Sequence, residues 1–203
     1  MGLMGSRMAG RLIQAGFETA VWNRTASACD ELLDMGASAL QLQEIGQYPV
    51  ILTCLADDQA AAAVYAQIEP HLQAGQVIAD FSSLSVAQTQ QLAAQAASRQ
   101  ITWIDSPVSG GTAGAEQGTL VIFAGGDAQA IADLTLIYNV LSQRVTRMGA
   151  TGAGQATKIC NQLIVAANSA LIAEAVALAG KAGVDTRLLA PALAGGFADS
   201  KPF

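Results

Sequence analysis

Histidine and cysteine are scarce in this sequence. There is one histidine, His71, and the cysteines Cys29, Cys54 and Cys160 lie far apart with no C-x-x-C spacing. That excludes a metal framework and a disulfide scaffold and fits a reducing cytosol, so a cytoplasmic location is expected. Charge is sparse as well: charged residues make up 13%, and 16 acidic against 10 basic side chains give a net −6. Such a balance does not hold nucleic acid by counterion release, and no nucleic-acid partner is expected. No signal peptide is legible, because Arg7 and Arg11 interrupt the start before any long apolar run. One stretch, residues 159–180, has the length of a membrane-spanning helix. It contains Asn161, Gln162, Asn168 and Glu174, which hydrocarbon tolerates badly, so it reads as a buried helix and no membrane partner is expected. Internal repeats and low-complexity tracts are absent beyond alanine-rich helices. What is present is a hydrophobic fraction of 52% in 203 residues, enough for a sizeable core in one large domain or one and a half typical ones.

Read in order, the chain alternates helix and strand patterns. Gly2 and Gly5 have the spacing of the last two glycines of G-x-G-x-x-G, a loop that lets backbone N–H groups approach a pyrophosphate at a helix start. The spacing is equally that of a helix-packing detail. Met8, Leu12, Ile13 and Gly16 predict a helix with a glycine stop. A β-prone run at 19–22 leads to Asn23-Arg24-Thr25, where a dinucleotide fold meets the adenosine ribose. A carboxylate there would favour NAD(H). An uncharged Asn23 beside Arg24 and Thr25 favours NADP(H), although the same residues make an ordinary turn with Thr25 capping the next helix. Further strands are predicted at 50–55, 77–81, 101–105, 119–124 and 144–148, with helices at 27–35, 133–141 and 186–193 and after the strands at 50–55 and 77–81. Asp57 or Asp58 is a candidate helix cap. This alternation implies a parallel sheet covered on both faces, with ligands beyond the carboxyl ends of its strands. Residues 105–118, with four glycines, read as a loop whose N–H groups face an anion, or as one that is merely flexible. After a joint at 149–154 the pattern is one long helix to Ala182, on which Lys158 and Asn161, three apart, share a face.

The ordered set M-G-L-M-G-S-R-M-A, V-W-N-R-T, D-F-S-S, D-S-P-V-S-G-G-x-x-G-A-x-x-G-T-L and G-A-G-Q-A-T-K-I-C-N-Q resembles the β-hydroxyacid dehydrogenase family over essentially the whole chain. That family includes 3-hydroxyisobutyrate dehydrogenases and tartronate semialdehyde reductases. The resemblance implies an α/β fold: a Rossmann-type doubly wound parallel sheet over residues 1–150, then the start of an all-helical domain over 151–203. It places Gly2, Leu3 and Met4 under the pyrophosphate and Asn23, Arg24 and Thr25 around the adenosine 2′-phosphate. Leu55 and Ala56 flank the cofactor, although the family usually has proline at the second place, and Ser83 lies near the nicotinamide. Ser109, Gly110 and Gly111 bind the substrate carboxylate, Lys158 is the general acid/base, and Asn161 steadies substrate and lysine. The chemistry suits these residue types, because hydride addition to an aldehyde leaves charge on oxygen that a nearby proton donor stabilises.

Two departures stand out. The fold's first strand, which belongs at the centre of the sheet, is missing together with the first glycine, and the family continues for roughly another domain of helices. A chain truncated at both ends is therefore expected. The leading functional expectation is NADP(H)-dependent interconversion of a small carboxylated aldehyde and its hydroxy acid, closest to 2-hydroxy-3-oxopropionate (tartronate semialdehyde) reduction. The alternatives are NAD-dependent 3-hydroxyisobutyrate oxidation and a non-catalytic nucleotide-binding fragment. The partners implied are a small hydroxy acid or semialdehyde and further copies of the chain in a dimer or tetramer.

Overall fold

The computed structural model describes residues 2–199. Helix α1 (Leu3–Gln14) buries Met8, Ala9 and Leu12, and the chain leaves it through Gly16 at φ 86°. Strand β1 (Ala20–Val21) is followed by a 3-10 turn (Ala26–Cys29) that runs into α2 (Asp30–Asp34), then by β2 (Ser38–Ala39) and β3 (Val50–Thr53). Helix α3 (Asp58–Ile68) starts where the Asp57 carboxylate accepts from Ala60 N at 2.8 Å, so of the two candidates Asp57 is the cap. Strand β4 (Val77–Asp80), helix α4 (Val86–Ser98, capped by Ser85) and β5 (Thr102–Asp105) follow. Then come β6 (Val108–Ser109), α5 (Gly111–Gln117), β7 (Leu120–Gly125), α6 (Ala128–Asp133), α7 (Thr135–Leu141) and β8 (Ser142–Gly149). The chain continues as α8 (Ala153–Lys181) and ends its described part after α9 (Leu189–Leu193).

Strands β3, β4 and β5 form a parallel sheet whose alternate residues point to two cores. Ala79 and Ile104 face Met8, Leu120, Ile122 and Tyr138, whereas Ile78 and Trp103 face Tyr65, Ile68 and Leu92. Burial on both faces is why these strands read as continuous apolar runs. Strand β7 joins β5 antiparallel at Asp105 and Gly125, pairs antiparallel with β6, and carries β8 in parallel. The α/β architecture therefore includes two strands, β7 and β8, that run opposite to the other strands of this sheet. Residues 105–118 are not one open loop: they hold the short strand β6 and the helix α5.

Strands β1 and β2 form a separate parallel pair. Along a strand, the N–H and C=O of one residue point to one side and those of its neighbour to the other. Ser38 N and Leu40 N donate to Thr19 O and Val21 O, so the backbone groups of Ala20 and Trp22 point away from β2. Val77 N and Phe81 N donate to Pro49 O and Thr53 O, so those of Val50 and Leu52 point away from β4. All four residues line one cavity of about 450 Å³, walled also by Met8, Leu12, Ile45 and Ile68. The resemblance assigns the fold's first strand to the centre of the sheet, and this cavity lies between the two sheet edges.

By compactness the chain divides into Met1–Lys158 and Ile159–Phe203, so the first turns of α8 belong to the first unit. In the second unit the expectation of a buried helix is corrected. Leu163, Leu171 and Leu178 are 69%, 66% and 70% exposed, because this unit is a long helix, a turn and a short helix with too little mass to wrap the first. By length and composition α8 is also apolar enough to cross a bilayer.

Candidate active site

The carboxyl ends of β3, β4 and β5 carry Thr53, Asp80 and Asp105 side by side in register. Asp80 Oδ1 accepts from Thr53 Oγ1 (2.7 Å), from Ser82 Oγ (2.5 Å) and from Ser82 N (3.2 Å). Ser82 Oγ in turn accepts from Leu55 N at 2.8 Å, which ties the end of the third strand to the loop after the fourth. Asp80 Oδ2 is buried with no partner among the described residues. Burial raises the Asp80 carboxyl above its ordinary range, the Ser82 and Thr53 bonds work against that, and the Asp105 charge adds to it. The same burial, with Asp80 beside it, pushes the Cys54 thiol up to about 11, so it is no nucleophile at neutral pH.

A folded-state carboxyl raised above its unfolded value of 3.8 binds its proton more tightly in the native state. Its contribution to stability is full below that value and is lost as pH rises through the raised one. Asp80→Asn keeps an acceptor at Oδ1, places the amide where Oδ2 already lacks a partner, and removes the buried charge. Its Tm at pH 8 is expected to exceed the parent's by about 2–4 °C for each kcal/mol of relieved strain, with the gap closing toward pH 4. Thermal melts across that range test this, and a gap independent of pH would refute it.

Asp105 is fully buried and receives the start of α8: Gly152 N donates to Oδ1 at 2.8 Å and Gln155 N to Oδ2 at 2.9 Å. A carboxylate against the first N–H groups of a helix satisfies donors that have no intrahelical partner and complements the helix dipole. Burial raises the Asp105 carboxyl, and these backbone bonds oppose the rise. Gln155, 1% exposed, also donates from Nε2 to Ser82 O (2.8 Å) and accepts at Oε1 from Leu84 N (3.2 Å). One turn further on, Lys158 is half-buried, and desolvation lowers its pKa from 10.5. A lysine tuned downward in this way shifts between donor and acceptor of a proton more readily than an exposed one.

The network joins Leu55, the Ser82–Leu84 loop and the turn that carries Lys158. Ser83 stands exposed between two residues that Gln155 holds. Gly2 begins a 12-residue helix with no side-chain cap and no acidic residue in its first turn, followed by Leu3, which is exposed, and Met4. A Cβ at Gly2 would meet nothing within 4 Å, so packing does not demand a glycine there and the approach to the bare N–H groups is open. These residues fit the pyrophosphate of a dinucleotide. Asn23 Nδ2 donates to Thr25 O, Thr25 makes no side-chain cap, and Arg24 and Thr25 are exposed. Gly2, Asn23 and Leu55 line the same cavity, while Ala56 is exposed beside it. Ser109 pairs with Val121 in the β6–β7 ladder, and Gly110 (φ 125°) and Gly111 (φ 63°) lead into α5 with positive φ that favours glycine. They are not part of the hydrogen-bonded network around Gln155. Asn161 falls in the second unit, where its Nδ2 donates to Gln162 Oε1 at 3.0 Å. Sequence reasoning overlooked Thr53, Asp80, Ser82, Asp105 and Gln155. The available signal was the carboxylates ending two successive strands, Asp80 and Asp105.

Residues 1–149 match the family model described as the NAD binding domain of 6-phosphogluconate dehydrogenase. Residues 152–203 match that of NADP-dependent 3-hydroxyisobutyrate dehydrogenase. The 2-hydroxy-3-oxopropionate reductase of Escherichia coli K12 is 34% identical over 207 residues, covering 99% of this chain and 70% of that protein. The chain belongs to the β-hydroxyacid dehydrogenase family. The NAD-dependent L-serine dehydrogenase of Pseudomonas aeruginosa is 32% identical over 94% of this chain and 65% of its own length. The structure of Mycobacterium tuberculosis 3-hydroxyisobutyrate dehydrogenase with L-serine superposes with a TM-score of 0.93 at 27% identity, over 99% of this chain and 70% of that one. This β-hydroxyacid dehydrogenase chain thus spans about two thirds of the length of such relatives.

Proposed function

We propose that this chain carries the cofactor half of an NADP(H)-dependent reductase that converts a small carboxylated aldehyde into its hydroxy acid, with 2-hydroxy-3-oxopropionate as the substrate. The observation that carries the reading is Lys158, half-buried with a lowered pKa on a helix tied by hydrogen bonds to the loop of Ser83. Bound NADPH supplies the hydride. The protein's own residues do the rest. The N–H groups at the start of α1 receive the pyrophosphate, and Arg24 with Thr25 receives the 2′-phosphate. Ser109, Gly110 and Gly111 orient the substrate carboxylate, and Lys158 Nζ delivers a proton to the carbonyl oxygen as charge develops there. The similarity to the E. coli reductase supports this substrate.

A side-by-side fluorescence titration with NADPH and NADH, followed by an aldehyde panel, tests the reading. NADPH is expected to bind more tightly, and Arg24→Ala to remove about 1.5–3 kcal/mol of that preference, roughly 10- to 150-fold, as for a hydrogen bond to a charged group. Equal affinity for the two cofactors in the parent would sink the NADP assignment while leaving the fold standing, and only tighter NADH binding would favour NAD, the cofactor named for the P. aeruginosa relative.

A further inference from the structure

Gln155 makes hydrogen bonds to three separate places with no exposed surface to gain from them. Its backbone N–H is held by Asp105 at the end of β5, and its carboxamide spans the Ser82 carbonyl and the Leu84 N–H. The two groups it grips flank Ser83 on either side, so the amide clamps the loop at that residue. A buried side chain that only filled space would be apolar, since an amide removed from water is costly unless every polar atom finds a partner. The residue before it permits no slack. A Cβ on Gly154 would meet the Phe123 carbonyl, Asp105 Oδ2 at 2.7 Å and the Asp105 carbonyl at 2.9 Å, so the first turn of α8 lies directly on the strand ends. Three residues on, at a rise of about 4.5 Å along the same face, stands Lys158.

We infer that Gln155 is a positioning residue, which fixes the height and rotation of the Lys158 turn against the Ser83 loop and so sets where the lysine ammonium meets the substrate oxygen. The inference rests on the proposed role of Lys158. Gln155 touches neither substrate nor cofactor; it acts through the loop and the helix that it joins. Asp105 fixes the other end of the same turn, and Ser82 passes the restraint on to Leu55 and Asp80. Only a carboxamide serves both loop groups at once: a glutamate can accept from Leu84 N but cannot donate to Ser82 O, and a leucine can do neither.

The test compares Gln155→Leu and Gln155→Glu with Leu92→Ala, a destabilising change in the second apolar cluster. Each variant is assayed at a temperature where circular dichroism shows it folded. Steady-state kinetics gives kcat and KM, and NADPH titration gives Kd. A separate readout uses reductive 13C-methylation of the lysines, Lys158, Lys181 and Lys201, with the Lys158 NMR signal assigned from Lys158→Met. The expected result is a fall in kcat of at least tenfold for Gln155→Leu and a smaller fall for Gln155→Glu. NADPH Kd should stay within about threefold, the Lys158 signal should move in both, and neither kcat nor signal should change in Leu92→Ala. An unmoved Lys158 signal, an unchanged kcat, or an equal loss in Leu92→Ala overturns the inference. If Lys158→Met itself retains turnover, the proposed role of the lysine fails, and the restraint by Gln155 is then judged on the NMR signal alone.

Discussion

Lys158→Met is expected to lower the rate of aldehyde reduction by about 10²- to 10⁴-fold, the usual contribution of a positioned general acid, while leaving NADPH affinity unchanged. The affinity persists because the residues assigned to the cofactor, from Gly2 to Ser83, lie elsewhere in the chain. Methionine matches the lysine stem in length and apolar character, so the half-buried environment of the turn is kept while the proton is lost. The pH dependence gives a second, independent reading. Desolvation disfavours the ammonium and lowers its pKa from 10.5. Reduction needs the ammonium, so its kcat is full below the lowered pKa and falls as pH rises through it. Oxidation of the hydroxy acid needs the neutral amine and rises over the same interval. Profiles recorded in both directions should mirror one another in the parent, and both limbs should vanish in Lys158→Met. Identical profiles in parent and variant would assign the proton to another group.

Much of the framework around this site was legible because its elements are local. Apolar runs marked the strands, and Gly2, the Asn23-Arg24-Thr25 corner, Ser83 and Lys158 each fell at a strand end or a helix start. What was not legible depends on contacts distant in sequence. Residues 110–118 are rich in glycine and poor in helix propensity, yet Gly111–Gln117 form a helix. A Cβ at Gly114 would come within 3.2 Å of the Leu120 side chain, and Ala115 is fully buried, so close packing outweighs propensity there. The reversed entry of β7 beside β5 leaves no trace in any local pattern, since a buried strand reads alike in either direction. Nothing in the local sequence distinguishes Gln155 from any other polar residue on a helix. Only the fold reveals that all its groups turn inward, to partners some fifty to seventy residues away in sequence, such as Asp105 and Leu84. The long apolar helix erred in the opposite sense: its composition suggested burial, and this chain leaves it exposed.

Gly154→Ala is expected to destabilise the protein by about 3 kcal/mol or more, the upper range for overpacking a tight site, against the gain of about 1 kcal/mol that helix propensity alone would promise. The added methyl would be driven into the Phe123 carbonyl, and into the Asp105 carboxylate and carbonyl at 2.7 and 2.9 Å. None of these can retreat cheaply. The Phe123 backbone belongs to β7, with its N–H bonded to Pro107 O, and Asp105 is fully buried with its carboxylate held by Gly152 and Gln155. Relief therefore requires lifting the start of α8, which breaks both bonds to Asp105 and displaces the turn that carries Lys158. Two other glycines separate this effect from the generic cost of the substitution. A Cβ at Gly180, inside the same helix, would lie 3.6 Å from the Thr186 methyl in ordinary contact, so Gly180→Ala should gain about 0.5–1 kcal/mol. Gly2→Ala has open space and an extended backbone, so its Tm should not move, while NADPH binding weakens because the methyl stands where the pyrophosphate approaches. Thermal melts of the three variants, each with and without NADPH, should thus give a large fall for Gly154→Ala of about 6–12 °C, a small rise for Gly180→Ala, and a loss confined to the cofactor-bound melt for Gly2→Ala. A Gly154→Ala protein melting within a degree of the parent would show that the first turn of α8 is free to shift, and that the anchoring of Lys158 by Asp105 and Gln155 is far looser than these distances imply.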